Sequence, residues 1–112
     1  MGVDGATRWR QERYAMIYVD ALVAHPATRD ADARRVGARN GHRWCHLFTD
    51  GPLEDLHTFA LRIGLRREWF QHHERLPHYD LTPPRRKRAL LAGAVEADRR
   101  TVVATMRRGG TP

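Results

Sequence analysis

The stretch Trp44-Cys45-His46-Leu47-Phe48-Thr49-Asp50-Gly51-Pro52-Leu53-Glu54-Asp55-Leu56 decides the fold, because a strand pattern gives way to a helix pattern inside it. From Trp44 to Thr49 the pleat puts Trp44, His46 and Phe48 on one face and Cys45, Leu47 and Thr49 on the other. Asp50-Gly51-Pro52 then opens a helix: proline suits the first helical position, and Glu54 lies near the exposed amides of the first turn. Leu53, Leu56, Phe59, Ala60 and Ile63 form its apolar stripe. Gly64 can close it in the left-handed conformation, with Leu65 folding back on the last turn. His57, turned by about 100° from Leu56, belongs at the edge of the core.

Upstream, Tyr14 to Val19 is a β-branched and aromatic run, a buried strand that delivers the carboxylate of Asp20 to its end. Residues 1–13 read as a flexible leader. The Pro- and Gly-bearing stretch from Ala24 to His42 reads as a surface excursion. Downstream, Thr82 and Pro83 start a helix that carries Arg85, Arg86, Lys87 and Arg88 and ends at Gly93. Ala94 to Ala97 is a short extended piece. Asp98 caps a third helix that packs through Val102, Val103 and Met106, and residues 107–112 form a flexible tail. The reading is a small single α+β domain over residues 14–106, a short β-sheet packed by two to three helices, with strand order open.

A chain of 112 residues can bury one adequate core without a metal or disulfide, and its one cysteine, Cys45, has no partner for an intramolecular bridge. The N-terminus lacks the apolar run of a secretory signal or membrane span, so a soluble cytoplasmic protein away from the membrane is expected. The formal charge of +7 favours polyanionic partners. Lys87 is the one lysine among twenty basic residues, a bias that also follows from GC-rich coding. Internal repeats and low-complexity linkers are absent.

Chemistry-bearing residues concentrate between Trp69 and Arg88. Arg85, Arg86, Lys87 and Arg88 can neutralise phosphates while Gln71, His78, Tyr79 and Asp80 supply polar contacts and Trp69, Phe70 or Tyr79 a stacking surface. Four consecutive helical residues point around most of the circumference, so they cannot all face one ligand, and Trp69 and Phe70 read first as core anchors rather than stacking platforms. A second set, Asp20, His46, Asp50, His57, His78 and Asp80, has the imidazoles and carboxylates that hold zinc, iron or manganese. His78-x-Asp80 shares one face if that segment is extended. In a third arrangement His78 carries a proton, Asp80 or Asp20 orients it, and an arginine stabilises negative charge. Each of these side chains also has a structural use, as a semi-buried histidine, a helix start or a turn acceptor.

Several motifs stand in order: Ile17-Tyr18-Val19-Asp20, His46-Leu47-Phe48-Thr49-Asp50, Leu56-His57-Thr58-Phe59-Ala60, Ile63-Gly64-Leu65, Trp69-Phe70-Gln71, His78-Tyr79-Asp80 and Lys87-Arg88-Ala89-Leu90. From Met16 to about Arg99 the chain resembles the small bacterial and phage family catalogued as domain of unknown function 4031. The resemblance implies no activity. It marks Asp20, His46, Asp50, His57, Gln71, His78, Asp80, Lys87 and Arg88 as the positions to watch. Ala21 stands where the family pattern often has a second aspartate.

The sequence reads first as a binder of a phosphate-bearing ligand, nucleotide or nucleic acid; the alternatives are a small metal-dependent hydrolase of phosphodiester type and an interaction protein with no small ligand. A divalent metal is the cofactor that the second set allows.

Overall fold

Two separated runs of alternating side chains form β1 (Ile17–Val19) and β3 (Arg43–Thr49), with the two-residue β2 (Val23–Ala24) paired to β3 between them. A computed structural model describes residues 16–24, 35 and 41–109; the expected leader and most of the Ala24–His42 excursion lie outside them. After β3 come α1 (Leu53–Arg62), a single 3-10 turn at Arg67–Trp69, β4 (Phe70–Gln71), β5 (His78–Leu81), α2 (Pro83–Leu91), β6 (Val95–Glu96) and α3 (Arg99–Gly109). The result is one α+β domain. None of the helices among the described residues is long and apolar enough to cross a membrane.

The sheet runs β4-β5-β3-β1-β6, with β6 parallel to β1 and the other pairs antiparallel. It is larger than strands one and two alone. β4 and β5 add an edge beside β3, and the short piece at Val95–Glu96 closes the other side through the Tyr18↔Val95 register. A two-residue or four-residue strand has too few side chains to display a period, so pairing rather than pattern creates these edges.

The pleat sorts the two faces. On one, Ile17, Val19, Cys45, Leu47, Phe70, Tyr79 and Leu81 meet Leu56, Phe59, Ala60 and Ile63 of α1 and Ala89 of α2. Val19, Leu47, Leu56 and Leu81 are wholly buried there, each worth about 1.5–3 kcal/mol against exposure. Leu53, expected in the α1 stripe, stays 41% exposed because it precedes the turn that contacts the sheet. Across the sheet a smaller cluster of Phe48, Leu76 and Ala97 takes up Tyr18, Val102 and Met106, so α3 covers part of that face.

Both α1 and α2 end the same way. Gly64 (φ +89°) lets Leu65 N–H reach the Ala60 carbonyl at 2.9 Å, and Gly93 (φ +115°) lets Ala94 N–H reach Ala89 at 3.0 Å. Thr82 holds the cap position of α2 with Pro83 at the first turn, although its hydroxyl makes no capping bond. Asp98 caps α3 by accepting the Thr101 N–H at 2.8 Å, which holds its carboxyl below the usual range. α3 continues through Gly109, beyond the Met106 end read from sequence; Arg107 and Arg108 suit the negative end of the helix dipole.

Candidate metal centre

Because Cβ directions alternate, the face that carries Tyr18 and Phe48 also carries Asp20 and His46 one step further along each strand. The β3–β5 register places Asp80 directly opposite His46, and His78 lies two residues before Asp80 on the same face. Three ligand atoms, one each from His46, His78 and Asp80, therefore lie within 4.8 Å of one another. The His46 and Asp80 side chains are 40% and 43% exposed, whereas those of Asp20 and His78 are 16% and 11% exposed. The cluster is thus anchored in the protein and open to solvent on one side.

Both imidazoles are fixed through Nδ1. Asp20 accepts the backbone N–H of His46 through one oxygen and meets its Nδ1 through the other, each at 2.6 Å. The carboxylate only accepts, so Nδ1 carries the hydrogen and the neutral ring presents a bare Nε2. His78 Nδ1 donates to the Leu76 carbonyl at 2.6 Å, which leaves its Nε2 3.3 Å from Asp80 Oδ1. The two rings meet edge to face with centroids 4.5 Å apart. The hydrogen bond to Asp20 raises the His46 imidazole above its usual range; burial opposes the rise, and the charges of Asp20 and Asp80 add to it.

Arg86 braces this corner. Its Nε donates to the Asp20 carbonyl at 2.9 Å and its Nη2 to Glu96 at 3.1 Å, tying α2 to the ends of β1 and β6. The rest of the basic block separates. Arg85 lies 4.8 Å over the Trp69 ring, Arg88 donates to the Ile63 carbonyl at the end of α1, and Lys87 is exposed. Among the described residues this block forms no shared cradle: two of its guanidinium groups bond backbone carbonyls and a third covers an indole. Phe70 enters the core, while Trp69 remains 36% exposed beneath Arg85.

Two other members of the histidine–carboxylate set lie elsewhere. Asp50 accepts the Met16 N–H at 2.8 Å and the Tyr18 hydroxyl at 3.2 Å, beyond the far end of β1. Burial and the Asp50 charge raise the Tyr18 hydroxyl. His57 is buried on the opposite face, its Nδ1 2.8 Å from the Tyr79 hydroxyl and its ring packed on Phe70. Burial lowers its proton affinity, with smaller contributions from Arg67 and His72. Tyr79 shares that buried face, whereas Gln71 is exposed and registers opposite His78 on the open face.

Sequence reasoning missed the supports of His78. The Leu76 carbonyl that sets its tautomer is backbone, and the Leu76 N–H is held by His73 Nδ1 at 3.1 Å, which also takes the Arg75 N–H at 3.2 Å.

Fold and cluster together define a single-domain α+β protein with a histidine–carboxylate constellation on the uncovered part of its sheet. Residues 31–109 match the family model described as protein of unknown function (DUF4031), and the chain belongs to that family. The match takes in His46, His78, Asp80 and all of α3, while Asp20 lies before its start. No curated protein and no solved structure matches the chain.

Proposed function

We propose that the protein binds a divalent transition metal through His46 Nε2, His78 Nε2 and an Asp80 oxygen, and uses it to hydrolyse a phosphate-bearing substrate. One observation carries the reading. His78 Nδ1 donates to Leu76, which turns its Nε2 to Asp80 Oδ1 at 3.3 Å, and with His46 beside them two imidazoles and a carboxylate offer ligand atoms within 4.8 Å of one another.

The distances support it. Tetrahedral ligands at about 2.0–2.2 Å from one metal are about 3.3–3.6 Å from each other. His78 and Asp80 already meet that spacing, and the ligand atoms of all three residues lie within 4.8 Å of one another. Asp20 would act as the outer partner that fixes the His46 tautomer and increases its basicity. Three protein ligands leave coordination positions open, the arrangement of a catalytic rather than a structural site. A cation held so supplies an acidified water and a Lewis acid for the phosphoryl oxygen. The charge of +7 favours an anionic substrate, and Gln71, beside His78 on the open face, is placed to contact it.

The test is elemental analysis by plasma mass spectrometry of purified, untagged protein before and after reconstitution with zinc, manganese and iron. About one equivalent per chain is expected, falling to background in His78→Ala and in the near-isosteric Asp80→Asn. Circular dichroism shows that the variants fold. Hydrolysis of an activated phosphodiester should follow metal content across the same set. A reconstituted protein without stoichiometric metal overturns the proposal. Stoichiometric metal without phosphodiester cleavage overturns its hydrolytic part.

A further inference from the structure

We infer that the outer face of α3 is a docking surface for the phosphate backbone of a nucleic acid, which names the substrate class of the proposed hydrolysis and rests on that reading for the chemistry alone. α3 has no acidic residue. At 100° per residue, Thr101, Val102, Thr105 and Met106 form its inner arc, and Val102 and Met106 pack against the cluster of Phe48, Leu76 and Ala97. The outer arc holds Arg99, Arg100, Arg107 and Arg108, all exposed. From Arg99 to Arg107 the helix rises about 12 Å. That length matches about three to four phosphates of one strand at about 3.4 Å of axial rise each.

One further observation favours a polyanion. α3 also packs on the same side of the sheet as the metal cluster: Tyr18 and Phe48 beneath it share their face with Asp20 and His46. A strand held along α3 therefore lies on the side where the cluster opens.

Other occupants fit less well. The apolar arc of α3 is spent on its own core, and only Val103, 39% exposed, and Ala104 offer apolar contact outside, too little to insert into a bilayer. A protein interface would need a large anchor such as an aromatic side chain, and on this face only Val103 is exposed among the apolar residues larger than alanine.

Fluorescence anisotropy with a labelled oligonucleotide of about 20 nucleotides, single-stranded and duplex, between about 50 and 200 mM KCl tests the surface. Wild-type protein should bind with an affinity that falls steeply with salt. Arg99→Gln/Arg100→Gln, which keeps helix propensity, should bind about tenfold or more weakly and flatten the slope of log affinity against log salt by about 1.4–1.8. Arg62→Gln, on α1 across the sheet, should bind like wild type. Absence of binding at low salt, a salt-independent affinity, an equal loss in the Arg62 variant, or preference for anionic phosphatidylserine vesicles overturns the inference. The two proposals separate in His78→Ala, which should keep oligonucleotide binding while losing metal. Metal binding without oligonucleotide binding removes the docking surface and leaves the metal centre.

Discussion

Replacing Asp20 by asparagine changes a carboxylate that accepts two hydrogen bonds at 2.6 Å into an amide with one acceptor and one donor. If the amide oxygen keeps the His46 backbone N–H, its NH2 faces His46 Nδ1. The ring then takes the other tautomer, with the hydrogen on Nε2, and loses the lone pair that would bind metal. If the amide flips, the backbone N–H meets a donor and the strand end strains. Loss of such an outer partner costs about 10–100-fold in metal affinity, equivalent to about 1.4–2.7 kcal/mol. Competition for zinc against a chromophoric chelator at fixed pH measures this, with circular dichroism to confirm folding. Asp50→Asn is the control, because Asp50 bonds Met16 and Tyr18 instead of a candidate ligand, and its zinc affinity should match wild type. An Asp20→Asn protein that holds zinc within about threefold of wild type would refute the reasoning, since the tautomer lock would then carry no weight.

Acid sensitivity should trace in part to His57. Its proton affinity is lowered in the native protein, so below about pH 6.5 the unfolded chain binds the extra proton; its contribution is complete above that pH and lost as pH falls. His46 has the opposite sign: its raised affinity adds stability below about pH 6.5 that disappears as pH rises through its native value. In urea unfolding between about pH 5 and 8, His57→Phe should show less acid-side decline. It should also lose about 1–3 kcal/mol from the stranded Tyr79 hydroxyl; an unchanged acid slope would exonerate His57. Cys45 is buried and its thiol is pushed up to about 12, chiefly by burial, so native protein at pH 8 should resist Ellman's reagent until it unfolds. Rapid stoichiometric modification of folded protein would contradict the packed thiol.

The β3–α1 unit was legible because its signals are local: alternation through Thr49, proline at the helix start, Gly64 at its end. The cluster was legible only by halves. His78 and Asp80 share a face by alternation, whereas His46 joins them through a β3–β5 register across more than thirty residues that no local pattern encodes. Asp50 and His57 had the same residue types as Asp20 and His46, but one lies beyond the far end of β1 and the other beneath the sheet, positions set by packing. Arg107 and Arg108 of α3 escaped notice because the sequence reading placed them in a tail beyond Met106. The Arg85–Arg88 block attracted attention by its density, yet three of its members meet a carbonyl or an indole of the same chain.

The alternation in β3 also bears on how this gene can change. His46 and Leu47 are neighbours in the chain, but one serves the open face and the other the core. Point substitutions on the open face can therefore redirect ligand preference while the apolar layer stays intact. Insertion or deletion of one codon within β3 is a different event: it would turn Cys45 and Leu47 toward water and the imidazole toward α1, forfeiting site and stability in one step. Lineages that retain the fold should tolerate almost no length change between Arg43 and Thr49, nor between Ile17 and Asp20.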